Sequence, residues 1–262
     1  VTCHAAIVSR ELGIPCIVGA ENATKLMKTN QGYTVDARSG VVYEGILREP
    51  EEPAAPASPN TATATAPLLE QAPITATKIY MNLGVPDMVE EYKNLPFDGI
   101  GLMRIEFILA SYIGEHPLYM LETGRGDEFI EKLAKGIAAV ARAIQPRPVV
   151  VRFSDFKTNE YRELKGGEKY EITEANPMLG WRGASRYISQ WYEKAFRLEC
   201  KAIRKCREEW KLQNVWVMLP VIRTVWEAKE CLAVMKEEGL ESSRDFQIWF
   251  MAETPSIAIM AD

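Results

Sequence analysis

Few residues in this chain are of a type and setting to do chemistry, and the first of them is His4. It is one of only two histidines among 262 residues and stands where an apolar, alanine-rich helical pattern begins, just after Thr2-Cys3. Threonine is a capping residue, and backbone N–H groups at a helix start are unpaired and lie at the positive end of the helix dipole. Such a setting favours a neutral, nucleophilic imidazole and, after reaction, an anionic phosphorylated one. A histidine among small residues is just as well suited to a hydrogen-bonded structural role, and local physics leaves both open. Four further stretches place polar groups directly behind apolar runs. Gly99-Ile100-Gly101-Leu102-Met103 leads to Arg104, Val149-Val150-Val151 to Arg152, Asn176-Pro177-Met178-Leu179-Gly180-Trp181 to Arg182, and Met251-Ala252 to Glu253. Planar guanidinium groups match carboxylates and phosphates through bidentate, charge-assisted pairs. Two or three arginines with one carboxylate point to a small dianionic or trianionic substrate and a divalent cation. Mg²⁺ takes one or two carboxylates and leaves room for substrate oxygens, a role open to Glu253. Singly, each arginine reads as an ion pair tying loops together and Glu253 as a solvated strand end; it is their coincidence at four strand ends that favours a site.

The elements that must position these groups follow from periodicity. From Thr77 onward, strand-like runs over Lys78–Leu83, Gly99–Met103, Val149–Phe153, Val215–Pro220 and Ile248–Ala252 alternate with helical patterns. The helices are expected near Pro86–Asn94, Asp127–Ile144, Gln190–Trp210 and Val225–Glu238. Alternation of this kind predicts βα units around a parallel sheet, and five strands suit a TIM barrel, which needs eight and gathers its catalytic groups at the C-terminal ends of the strands. Residues 1 to about 48 read as helix, short strand, helix and then a hairpin of Tyr33–Asp36 with Gly40–Glu44 around Ala37-Arg38-Ser39. Between the two regions, residues 49–76 turn to Pro, Ala, Thr and acidic residues, with Pro50, Pro53, Pro56, Pro59, Pro67 and Pro73 and no glycine. This stretch is a linker biased to extended polyproline II, at about 3.1 Å per residue a reach of roughly 85 Å at most.

Composition bounds the rest. A net charge of −5 gives no general attraction to nucleic acid or to acidic membranes, so neither is an expected partner. No apolar run approaches the roughly 20 residues needed to span a bilayer. Five cysteines without a C-x-x-C pair argue against a disulfide framework or a zinc site and for reduced thiols in the cytoplasm. A Cys3–His4 dyad is not expected, since sequence neighbours at a helix start point different ways. The chain opens on Val1 inside a motif, which suggests a fragment of a longer polypeptide.

Thr2-Cys3-His4-Ala5-Ala6, with Arg10-Glu11-Leu12-Gly13-Ile14-Pro15-Cys16-Ile17-Val18-Gly19 after it, resembles the phosphohistidine segment of the PEP-utilising enzymes, a family that includes phosphoenolpyruvate synthases, pyruvate phosphate dikinases and enzyme I of the sugar phosphotransferase system. The stretches ending in Arg104, Arg152, Arg182 and Glu253 resemble the pyruvate-binding barrel of the same family, in order. The resemblance implies an α/β chain: the C-terminal part of a swivelling phosphohistidine domain over 1–48, the linker over 49–76, and an incomplete (β/α)₈ TIM barrel binding phosphoenolpyruvate or pyruvate over 77–262. It implies His4 as the catalytic phosphoryl carrier, Arg104 and Arg152 as substrate ligands, Glu253 as ligand of both substrate and Mg²⁺, and Arg182 in support. ATP would bind an upstream domain absent here, and a homo-oligomer is the expected state. The family's second Mg²⁺ ligand and proton-donor cysteine match nothing in this chain, so the segment alone is expected to be inactive.

Within the family, Ser154-Asp155-Phe156-Lys157-Thr158-Asn159-Glu160-Tyr161 and Ile113-Gly114-Glu115-His116-Pro117 resemble the synthases, which convert pyruvate, ATP and water to phosphoenolpyruvate, AMP and phosphate. The dikinases, the enzyme I-like phosphocarriers and a non-catalytic homologue are the alternatives. His116 reads as structural.

Overall fold

The computed structural model describes residues 5–6, 9, 13–47, 73 and 75–260. His4 lies outside them, as does most of the expected linker, residues 48–72 and 74. The chain divides into two compact units, Val1–Gln71 and Ala72–Asp262.

In the first unit, a short helix over Ala23–Leu26 precedes an antiparallel hairpin of β1 (Tyr33–Asp36) and β2 (Val41–Glu44), with Tyr33 opposite Glu44 and Asp36 opposite Val41. Asp36 closes the turn: its carboxylate accepts from Ser39 Oγ at 2.6 Å and from Arg38 N at 3.0 Å, and these bonds hold it below the usual carboxylate range. Among the described residues no strand precedes Tyr33, so the short strand expected between the two N-terminal helices is not formed there. Every residue of β2 is exposed, and this hairpin buries little apolar surface of its own.

The second unit holds a five-stranded parallel sheet in strict sequence order: β3 (Tyr80–Leu83), β4 (Gly99–Arg104), β5 (Val149–Arg152), β6 (Val215–Leu219) and β7 (Ile248–Phe250). All five strands lie where apolar runs predict them. The helices over Glu193–Arg204 and Val225–Glu237 also fall within their predicted stretches, and that over Gly126–Ile144 begins one residue before its own. Shorter helical pieces over Pro117–Glu122, Thr158–Glu163, Ala184–Tyr187 and Pro255–Ile259, and a π-helical turn over Ile108–Ile113, are too brief to leave a period in the sequence.

Alternation along the strands sorts the side chains. Val149, Val151, Val215, Val217 and Leu219 join Phe129, Leu133, Ile137, Phe196 and Ile203 from the helices in one core. The intervening residues meet on the other face. Tyr80 of β3 and Trp249 of β7 come from opposite edges of the sheet, yet their ring centroids are 5.9 Å apart, and Trp216 is 6.3 Å from Trp249. Four strand spacings of a flat sheet would hold those edges about 19 Å apart. The sheet is therefore strongly rolled, in the sense a barrel requires, with Tyr80, Trp216 and Trp249 filling its concave side. Gly99 permits that curvature, since a Cβ there would come 2.6 Å from the Tyr80 ring.

Candidate active site at the strand ends

The rolled sheet brings its C-terminal strand ends together. Arg104, the last residue of β4, is the register partner of Arg152, the last residue of β5. Two guanidinium groups thus project from neighbouring strands on the same face, an arrangement that repels unless anions answer it. Two carboxylates answer Arg152. Glu106, two residues beyond Arg104, accepts from Arg152 Nη2 at 2.6 Å and from the Asp155 backbone N–H at 2.7 Å through the same oxygen. Asp155 lies 3.2 Å from Arg152 Nη1 and accepts from Arg182 Nε at 2.9 Å and Nη2 at 2.8 Å. Burial works against both guanidinium charges. Glu106 and Asp155 outweigh it at Arg152, and Asp155 does so at Arg182, so both pKa values stand above the ordinary arginine value. Glu106 Oε2 and Arg152 Nε are buried without a hydrogen-bond partner. Met251, two residues beyond Trp249 on the same face, places its sulfur 4.0 Å from Arg152 Nη1.

Glu253 stands three residues beyond the end of β7. Its Oε1 accepts from Val221 N at 2.7 Å, and its charge reaches Arg182. Val221 has φ +50°, a left-handed conformation that a β-branched residue rarely adopts and that costs of order 1–3 kcal/mol. Three contacts hold the strained loop after β6. Ala184 N donates to Pro220 O at 3.2 Å, Thr254 Oγ1 donates to Ile222 O at 2.8 Å, and Glu253 takes the Val221 N–H. Gly183, at φ +60°, packs where a Cβ would lie 2.7 Å from Pro220 O, so the glycine after Arg182 is required both by its backbone and by its space. Strain of this kind concentrates at functional sites.

Of the predicted residues, Arg104 and Arg152 are paired at adjacent strand ends. Arg182 follows no strand, contrary to the expectation of four strand ends, but stands in the loop before the helix Ala184–Tyr187 and joins them through Asp155, while Glu253 joins through its charge on Arg182. Glu106 and Asp155 were not singled out from the sequence, although the spacings Arg104-x-Glu106 and Arg152-x-x-Asp155 carry the signal. His116 is built into the core instead. It caps the helix over Pro117–Glu122, accepting from Leu118 N at 3.2 Å on Nδ1, so the proton is assigned to Nε2, which faces Glu171 at 3.0 Å. Arg186 grips the same carboxylate with two bonds of 2.6 Å and lies against the rings of Trp181, Tyr161 and Tyr192. All three side chains are fully buried. Burial holds the imidazole below its ordinary value. Burial also opposes ionisation of Glu171, but Arg186 and His116 outweigh it and hold that carboxyl below the usual range.

Among the described residues no group of three or more His, Cys, Asp or Glu forms a metal cluster, and no helix is long and apolar enough to cross a membrane. A single carboxylate such as Glu253 is nevertheless a fitting donor for Mg²⁺, whose shell is ordinarily completed by substrate oxygens and water.

Comparison with known proteins fits this arrangement. Residues 60–262 match the family model described as PEP-utilising enzyme, PEP-binding domain, and residues 1–40 match PEP-utilising enzyme, mobile domain. The chain is 60% identical over 263 residues to a phosphoenolpyruvate synthase of Aeropyrum pernix and 61% identical over 264 residues to a probable phosphoenolpyruvate synthase of Staphylothermus marinus. It is 39% identical over 284 residues to a phosphoenolpyruvate synthase of Neisseria meningitidis. Each match takes in 100% of this chain but only 32%, 32% and 34% of the relative, so the chain spans about a third of the length of these proteins. With the PEP-binding-domain model covering residues 60–262, the chain belongs to the family of PEP-utilising enzymes.

Proposed function

We propose that this chain is the part of a phosphoenolpyruvate synthase in which a phosphoryl group passes between a carrier histidine and pyruvate. The observation that carries the reading is the Arg104–Arg152 pair, two like charges in register at adjacent strand ends. Such a pair is tolerable in a stable fold with Glu106 and Asp155 as partners, and useful where a carboxylate and a phosphate must be held side by side. The names of the relatives favour the synthase over the dikinase and the phosphocarrier.

In this reading residues 1–48 are the end of the mobile domain, 49–76 its tether and 77–262 the substrate domain. His4 takes phosphate derived from ATP, bound elsewhere in the longer protein, and delivers one phosphoryl group to the enolate oxygen of pyruvate. Arg104 and Arg152 hold the substrate's carboxylate and phosphoryl oxygens and stabilise charge as it shifts between them. Arg182 fixes Asp155, and Asp155 with Glu106 fixes Arg152. Glu253 would hold Mg²⁺, which when bound neutralises negative charge on the substrate oxygens.

The test is run on the longer polypeptide containing this segment. It is incubated with phosphoenolpyruvate and Mg²⁺, and the mass of the peptide bearing His4 is read under conditions that preserve phosphohistidine. A phosphoryl adduct on His4 that disappears in Arg152→Ala is expected. No adduct in the unmodified protein would overturn the reading.

A further inference from the structure

Behind the strand-end cluster lies a second polar group that the chemistry above does not use. Glu199, in the helix Glu193–Arg204, is completely buried. Its Oε2 accepts from Ser154 N at 3.0 Å and its Oε1 from Ser154 Oγ at 2.5 Å. Tyr161 Oη is 2.6 Å from Ser154 Oγ, and Tyr192 Oη donates to Tyr161 Oη at 2.6 Å. With the carboxylate ionised, three hydroxyls therefore donate in one direction, from Tyr192 to Tyr161 to Ser154 to Glu199, each bond polarising the next. Tyr187 Oη donates to Ser154 O at 2.5 Å, so every polar atom of Ser154 is held.

Ser154 stands two residues after Arg152 and immediately before Asp155. The helix layer thus grips Ser154, one of the two residues that separate Arg152, at the end of β5, from Asp155. The groups facing Glu199 are Ser154, Tyr161, Tyr187 and Tyr192, with Glu106 and Arg186 acting on it through charge; the neighbouring Cys200 thiol is itself pushed up by burial and by Glu199. Burial pushes its carboxyl up to about 7, and Ser154 opposes the rise.

We propose that Glu199 is a positioning residue: by accepting both hydrogen bonds of Ser154 its carboxylate sets how β5 presents Arg152 and Asp155, and protonation there turns the hydroxyl chain around and relaxes that presentation. The catalytic meaning of this role rests on the substrate site proposed above.

The test follows the Nε–Hε signals of Arg152 and Arg182 and the carboxyl carbon of Glu199 by NMR, on either side of neutrality, in the unmodified chain. All three are expected to move with one midpoint. In Glu199→Gln the arginine signals should no longer move near neutrality. In Ser154→Ala, which keeps the buried carboxyl, they should cease to follow it, and phosphoenolpyruvate binding at alkaline pH should weaken several-fold. Arginine signals that titrate unchanged in Glu199→Gln, tracing the effect to Glu106 or Asp155, or that stay still while Glu199 titrates in the unmodified chain, overturn the proposal. Should Glu199→Gln not fold, the unmodified chain and Ser154→Ala decide. Failure of the unmodified chain to bind phosphoenolpyruvate at all would count against the substrate reading, with the arginine signals still deciding the role of Glu199.

Discussion

Replacing Glu199 by Gln should make the chain more stable with rising pH relative to the unmodified protein, although it alters a buried hydrogen-bonded group. The carboxyl is driven to about 7 in the fold and returns to its ordinary 4.5 on unfolding. Between those values the folded state binds more proton than the unfolded one, so stability falls as pH rises through the window, and the penalty is complete above about 7. The gap converts to about 3 kcal/mol at full ionisation, of which about 2–3 kcal/mol lies between pH 5 and pH 8. Glutamine has nearly the same volume and still accepts the Ser154 N–H, but it carries no proton equilibrium. Whatever it loses in hydrogen bonding, about 1 kcal/mol, is independent of pH. The neutral, buried His116 works in the opposite direction. Its folded pKa lies below 6.5, so its contribution is present at higher pH and is lost as pH falls below the unfolded value. That term is common to both proteins and cancels. Urea unfolding of the two chains at pH 5 and pH 8 gives the comparison. The variant's stability relative to the unmodified chain should rise by about 2–3 kcal/mol between the two conditions. A difference that does not change with pH would refute the reasoning, because it would mean that Glu199 ionises in the fold as it does in the unfolded chain.

Glu171→Gln leaves Arg186 buried without its counter-ion and should cost roughly 3–5 kcal/mol, a drop of roughly 6–20 °C in the calorimetric midpoint; the paired replacement Glu171→Leu with Arg186→Met should recover much of it. A shift within error for the single change would show that the aromatic rings around Arg186, not the ion pair, carry the site. Gly183→Ala forces a Cβ against Pro220 O at φ +60° and should destabilise by roughly 1–3 kcal/mol in denaturant. It should also speed hydrogen exchange at Val221 N as the grip of Glu253 loosens. Asp155→Ala removes the acceptor shared by Arg152 and Arg182. The thermal midpoint should fall and partly return on adding inorganic phosphate, by mass action on the guanidinium groups left without that carboxylate; a fall that phosphate does not reverse would argue against an anion site there.

The division between what was legible in the sequence and what was not has a physical basis. Five apolar runs at βα spacing were enough to place β3 to β7, because a strand buried on both faces writes itself as a continuous apolar segment such as Val149-Val150-Val151. The same runs mark their own C-terminal ends, which is why the sequence places Arg104, Arg152 and Glu253 behind strands. Short helices such as Pro255–Ile259 left no period to read. Contacts between residues far apart in the chain were silent for a different reason. Nothing local says that Tyr80 meets Trp249 across the concave side, that Arg104 is in register with Arg152, or that Glu253 holds Val221 in a left-handed turn. Nor does a glutamate in a helix or a loop announce that it is buried: packing removes Glu199 and Glu171 from water and supplies Ser154, His116 and Arg186. Residue types and their order along the strands settle the kind of chemistry available to this chain. Curvature of the sheet and desolvation, both properties of the assembled fold, decide which side chains meet, which of them stay charged and how firmly they are held.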